Sequence, residues 1–180
     1  MYLLVAQIIG ILAMIMNVFS LQLKTQKNII RMQLLGSVLF VVNMFMLNAV
    51  MGCILNAIGI LRAVVYSNKT FFKAEKKAWI YLFLILYVCA YVVSFTVFKK
   101  APTAKNLIIE FLPLVAMFVT TLSFSKKKSS DVRKFVFISA PVWITYNCVN
   151  FSIGGALCEI FNLVSTIAAI IRLDLKPEKK

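Results

Sequence analysis

Histidine is absent from this chain and acids are scarce: six Asp and Glu stand against 20 Lys and Arg in 180 residues, a formal charge of +14. Without imidazole there is no imidazole base, no His-ligated metal and no His-based triad. The four cysteines, Cys53, Cys89, Cys148 and Cys158, lie singly in apolar runs with no CxxC spacing, so neither a zinc site nor a redox dithiol is indicated. Each reads as a small buried hydrophobe. With no nucleophile–base pair and no metal cluster, an enzyme is not expected, nor any metal or cofactor. The N-terminal run has no basic region before its apolar stretch, and Ile8–Leu23 passes straight into Lys24, which predicts a retained span rather than a cleaved signal.

What is abundant is apolar surface. Hydrophobic side chains make up 62% and charged ones 14%, with a mean hydropathy of +0.91. Soluble domains carry about 45–50% and 25% respectively, and a small globule leaves roughly a third of its surface in water. Lipid must be the solvent. A bilayer helix needs roughly 20 apolar residues, so the chain has room for seven spans with short loops.

The charges punctuate those spans. The first is 3–23, closed by Lys24, Lys27 and Arg31. The stretch 32–68 holds one charge, Arg62, and is too long for one helix; it breaks at the turn residues 48–52. A basic loop, Lys69 to Lys77, leads to a fourth span over 78–98 with Trp79 and Tyr81 as interfacial anchors. The fifth, 106–125, ends at Lys126-Lys127-Lys128. The stretch 135–171 again holds one charge, Glu159, and breaks at 150–155.

Alternate loops then gather 16 Lys and Arg on one side and three, Lys99, Lys100 and Lys105, on the other. By the positive-inside rule the N-terminus is expected outside and the C-terminus in the cytoplasm. Sliding the sequence by 102 residues superposes Lys24 on Lys126, Arg31 on Arg133, Ser37 on Ser139, Asn48 on Asn150 and Gly52 on Gly154. The expected architecture is all-α: two parallel three-helix repeats, 1–68 and 106–172, joined by a basic loop and linker helix at 69–105, with a tail at 173–180.

The order of three spans, one and three resembles the SWEET sugar transporters and the wider PQ-loop group, with Ile9-Gly10, Phe19-Ser20-Leu21-Gln22, Lys24 and Asn56 carrying the echo. The Pro-Gln pair of that group reads Leu21-Gln22 here, and helix prolines remain only at Pro113 and Pro141. That resemblance implies a third helix packed between the first two in each repeat. Nearly the whole chain resembles the YgjV family of bacterial inner-membrane proteins, through Ile54-Leu55-Asn56-Ala57-Ile58, Glu110-Phe111-Leu112-Pro113, Trp143, Asn147, Ser152-Ile153-Gly154-Gly155, Glu159 and Ile171-Arg172. It implies a multi-pass membrane protein and names no reaction.

Candidate site residues are the polar ones inside spans, where a charge costs on the order of 2.5–3.5 kcal/mol on insertion scales. Glu159 either lines a cavity or bonds a neighbouring helix; Glu110, nearer the interface, either faces an outward vestibule or snorkels. Asn56 lies one position from the repeat counterpart of Glu159, and in the SWEET-like proteins an Asn on this helix faces substrate; helix-to-helix bonding is the alternative. Trp143 and Asn147 share a helix face, as a plate and amide for a polar solute or as core filler. Arg62, five residues from the end of its span, reads as snorkelling inward. The leading expectation is a small-solute transporter working by alternating access. The alternative is a structural or interaction protein of the membrane with no route through it. Its expected partners are membrane lipids and a small polar solute, with self-association open and nucleic acid not expected, the basic loops reading as topogenic and lipid-facing.

Overall fold

The computed structural model describes residues 2–47, 50–149 and 153–175. They form eight α-helices, with no strand among the described residues. These are α1 (Tyr2–Ser20), α2 (Gln26–Met46), α3 (Val50–Ser67), the four-residue α4 (Lys69–Phe72), α5 (Ala78–Thr96), α6 (Ala104–Ser125), α7 (Ser129–Val149) and α8 (Ile153–Ala169). A π turn, Ile170–Asp174, continues α8. Two starts are set by threonine caps: the Thr25 hydroxyl accepts the Asn28 N–H at 3.4 Å, and that of Thr103 accepts the Asn106 N–H at 3.3 Å. The short α4 was not expected from sequence. It stops at Lys73, whose φ of 50° places it in the left-handed region. Asn48 and Asn150, where the two apolar stretches were expected to turn, lie outside the described residues.

Among the described residues six helices are long and apolar enough to cross a membrane: α1, α2, α3, α5, α6, and α8 with its π extension. The remaining long helix, α7, has 21 residues but opens on Asp131, Arg133 and Lys134. The start of α7 follows that of α2 at an offset of 103 residues.

Sequential neighbours pack together: α1 along α2, α2 along α3, α6 along α7, and α7 along α8. The groups join where α8 meets α1 and α3 meets α6, and α2 also touches α7. The six helices thus form a closed ring in the order α1, α2, α3, α6, α7, α8. Helix α5 lies outside it against α3 and α6. This corrects the expected packing order, because the middle helix, not the third, lies between the other two. The reason is visible between α1 and α2. A Cβ added at Gly36 would stand 2.5 Å from Asn17 Nδ2, one at Gly10 would stand 2.9 Å from Asn43 Nδ2, and Asn43 donates across to the Ala6 carbonyl at 2.7 Å. Small residues and an interhelical amide bond draw two helices close in a solvent that offers no hydrophobic drive.

The polarity of the ring is inside out relative to a soluble bundle. Leu4, Ile8, Ile11 and Phe19 of α1, Leu82, Ile85 and Val92 of α5, and Ile160, Phe161 and Val164 of α8 are exposed. Asn43, Arg62, Glu110, Thr121, Arg133 and Asn147 are buried. A chain surrounded by lipid places its apolar side chains outward and satisfies its polar groups within.

Candidate functional site

The ring encloses a cavity with about 140 Å³ of room for the centres of water-sized molecules, and all six ring helices line it. A single water needs roughly 10–15 Å³ on that measure, so the space suits several waters or one small solute. Helix α1 contributes Asn17, α2 Ser37, and α3 Asn56 and Arg62. From the other side come Thr120 of α6, Trp143 and Asn147 of α7, and Glu159 and Asn162 of α8. Ser37 and Ser139, 102 residues apart, both face it.

Four of the five candidates from sequence meet here: Asn56, Trp143, Asn147 and Glu159. Asn56 donates its amide to the Gly52 carbonyl of its own helix at 2.8 Å, and its side-chain oxygen has no hydrogen bond among the described residues. Trp143 stands edge-on to Tyr146, ring centres 5.8 Å apart. Glu159 is half-buried, makes no ion pair among the described residues, and accepts from the Asn162 amide at 3.3 Å. Glu110 is elsewhere. It is fully buried, ion-paired to Lys100, and within electrostatic reach of Tyr146 on α7. Lys100 sits close enough in the preceding loop to neutralise it, so this acid ties the α5–α6 connection to the bundle instead of facing the cavity.

Arg62 is the residue sequence reasoning placed differently. It does not reach back to a headgroup layer but turns into the ring, 6% exposed. Its Nη1 donates to Met117 O at 3.1 Å, to Tyr87 Oη at 3.2 Å and to Thr121 Oγ1 at 3.5 Å, and its guanidinium lies 4.9 Å from the centre of the Phe124 ring. The available signal was that it is the one charge in a stretch of 37 residues.

At the basic-loop end Leu21, Phe124 and Val132, each almost inaccessible, close the floor. Around them each half of the ring grips the other. Gln26, at the start of α2, donates to Phe124 O at 3.2 Å and Lys126 O at 2.6 Å, at the end of α6, and Lys69 braces it by donating to Gln26 Oε1 at 2.9 Å. Arg133, in the second turn of α7, donates to Leu21 O at 3.1 Å and Leu23 O at 2.6 Å, just past the end of α1, and pairs with Asp174 at 2.6 Å. Gln22 adds a bond to the Ser165 carbonyl of α8 at 2.7 Å. Both latches use helix C-terminal carbonyls, which have no partner within their own helix.

An apolar exterior, six helices able to cross a bilayer and a buried polar interior define an integral membrane protein of the multi-pass α-helical class. The chain belongs to a family of bacterial inner membrane proteins, Imp-YgjV, whose model matches residues 4–176. Comparison with curated proteins and with solved structures gave no match.

Proposed function

We propose that this protein is a small-solute transporter of the bacterial inner membrane, not a catalyst, in which α1–α3 and α6–α8 act as two pseudo-symmetric units that rock about the enclosed cavity. The observation that carries this reading is the cavity itself, of mixed polar and apolar lining, reached from all six ring helices, and lying where the two units meet. Substrate sites at the interface between repeats suit alternating access, because rocking one unit against the other exposes the site to either side. In this reading α7 is the seventh span, its charged opening turns lying at the interface. The 16-to-three distribution of Lys and Arg sets the latched end in the cytoplasm and the N-terminus outside. The Gln26 and Arg133 latches are then the inner gate, shut in this conformation. Asn56, Trp143 and Asn147 contact the solute, and Glu159 takes an amine or hydroxyl or carries a coupling proton.

Uptake of a metabolite panel into proteoliposomes, with and without a pH gradient, tests the proposal, with Glu159→Gln beside the parent chain. The expected result is accumulation of some panel member and an abundant, folded variant that loses uptake or its dependence on the gradient. No accumulation of any solute favours a packing protein without a route. A reporter fused after Lys180 should be cytoplasmic and one within 99–105 external; both on one side would remove the topology.

A further inference from the structure

We infer that the solute held in this cavity bears one anionic group, which docks on Arg62, and a far end that is cationic or hydroxylic, the chemistry of small amino and hydroxy acids. The inference deepens the transporter reading and rests on it for the cavity's role.

Arg62 and Glu159 are the two charged residues that line the cavity. They stand on α3 and α8, three places apart in a ring of six helices and so across the cavity from each other, and they form no ion pair. An ion pair is the usual resolution for opposite charges enclosed in a low-dielectric interior, and these two are kept apart with the cavity between them.

The bonding of Arg62 is one-sided. A guanidinium carries five N–H donors. All the protein's acceptors gather at Nη1: the Tyr87 hydroxyl, the Met117 carbonyl and sulfur, and the Thr121 hydroxyl. Among the described residues Nε has no partner and is sealed even from water, and no hydrogen bond leaves Nη2, which lies beside the small Gly59. None of the acceptors is a carboxylate. Tyr87, on α5 outside the ring, fixes the guanidinium from behind, so the Nη2 end remains available. Its two N–H groups can make a charge-assisted hydrogen bond to a carboxylate in the cavity. The cation thus lacks a counter-charge in a site where one is strongly favoured. Glu159 on the opposite wall repels a second anionic centre, which disfavours dianions and favours an ammonium or hydroxyl at the other end of the solute.

Trp143 lines the same cavity and gives a direct readout. The chain has two tryptophans, so Trp79→Phe leaves Trp143 as the sole emitter. Purified Trp79→Phe protein is titrated with alanine, serine and lactate, with the methyl ester of each, and with chloride and inorganic phosphate. We expect saturable emission changes with the free acids and binding of the esters weaker by about tenfold or more, the loss of one charge-assisted contact. Arg62→Gln should erase the acid-over-ester preference, and Arg62→Lys should keep most of it. Equal binding of acid and ester, no response to any acid, a response to the inorganic anions alone, or an Arg62→Gln protein that retains the preference would each overturn the inference. If Arg62→Gln does not fold, the acid–ester comparison on the Trp79→Phe protein decides alone. Acid binding without uptake in proteoliposomes would sink transport and leave the docking site standing; uptake of neutral solutes without acid binding would do the reverse.

Discussion

The groups α1–α3 and α6–α8 take matching places around the cavity, yet they are held together by different chemistry. The first contains no proline and closes its α1–α2 contact with Gly10, Gly36 and the Asn43 amide. The second carries Pro113 inside α6 and Pro141 inside α7, each removing a backbone donor from its helix. At the positions matching Gly36 and Asn43 it has the exposed Ile138 and Thr145, and Thr145 bonds only the Pro141 carbonyl of its own helix. The charges that face the cavity differ in sign, Arg62 on α3 and Glu159 on α8. The two groups are thus equivalent in outline without being equivalent in side chains. The Gly–Asn closure makes the first group the tighter one, whereas the second holds the proline-interrupted helices.

The sharpest test of that contrast lies in the latches. Arg133 is fully buried on two carbonyls and Asp174, while its counterpart Arg31, 102 residues earlier, is exposed. Arg133→Gln leaves Asp174 without its cation and should lower stability in detergent by about 3 kcal/mol or more, whereas Arg31→Gln should stay within about 0.5 kcal/mol. Equal losses measured by denaturant or thermal unfolding would remove the distinction.

Next in size is the α1–α2 contact. A methyl at Gly36 meets Asn17 Nδ2 at 2.5 Å and the Ala13 carbonyl at 3.3 Å, so Gly36→Ala should cost roughly 1–3 kcal/mol by overpacking. Ile138→Ala, on the exposed side of α7, should change stability by less than about 0.5 kcal/mol. Asn43→Ala loses one buried interhelical bond and should cost about 0.6–1.7 kcal/mol, against a negligible effect of Thr145→Ala. A pair of variants with reversed ranking would show that the second group, not the first, is the tight one.

The smallest effect concerns Lys69, outside the spans. Burial holds its ammonium below the usual 10.5, nearby Lys127 adds to this and Glu75 opposes it. The folded protein therefore binds fewer protons than the unfolded chain in the window just under 10.5, and stability gains a rising increment as pH climbs through it. Lys69→Gln should flatten that alkaline limb in a thermal-unfolding series. An unchanged limb would show that Lys69 does not carry it.

Much of the helical layout was legible because in lipid the spans are long apolar runs and the loops are charged. The expected first span, 3–23, and fourth span, 78–98, and the fifth expected from 106, lie within a few residues of α1, α5 and the start of α6. The start of α7 was less so: its first turns are charged, since Arg133 is consumed by contacts to residues more than 100 positions away, and hydropathy along the chain does not register such contacts. Four of the five candidate side chains were found as polar residues inside apolar runs. Glu110 has the same signature but is neutralised by Lys100, and only folding brings that pair together. Arg62 was misplaced for the converse reason, its position near a span end suggesting an exit that Tyr87, Met117 and Thr121 remove.

Residue types and spacing alone determined that this chain lives in lipid, that it is helical, and which polar residues are too costly to lie there without a partner, because those are properties of single segments in a uniform solvent. Which helix neighbours which, which of the buried charges are matched, and that Arg62 and Glu159 face one cavity without meeting were decided by the tertiary structure. Those facts depend on contacts between segments far apart in the chain, set by where Gly36, Gly10 and Asn43 let helices approach and where the terminal carbonyls of α1 and α6 find donors.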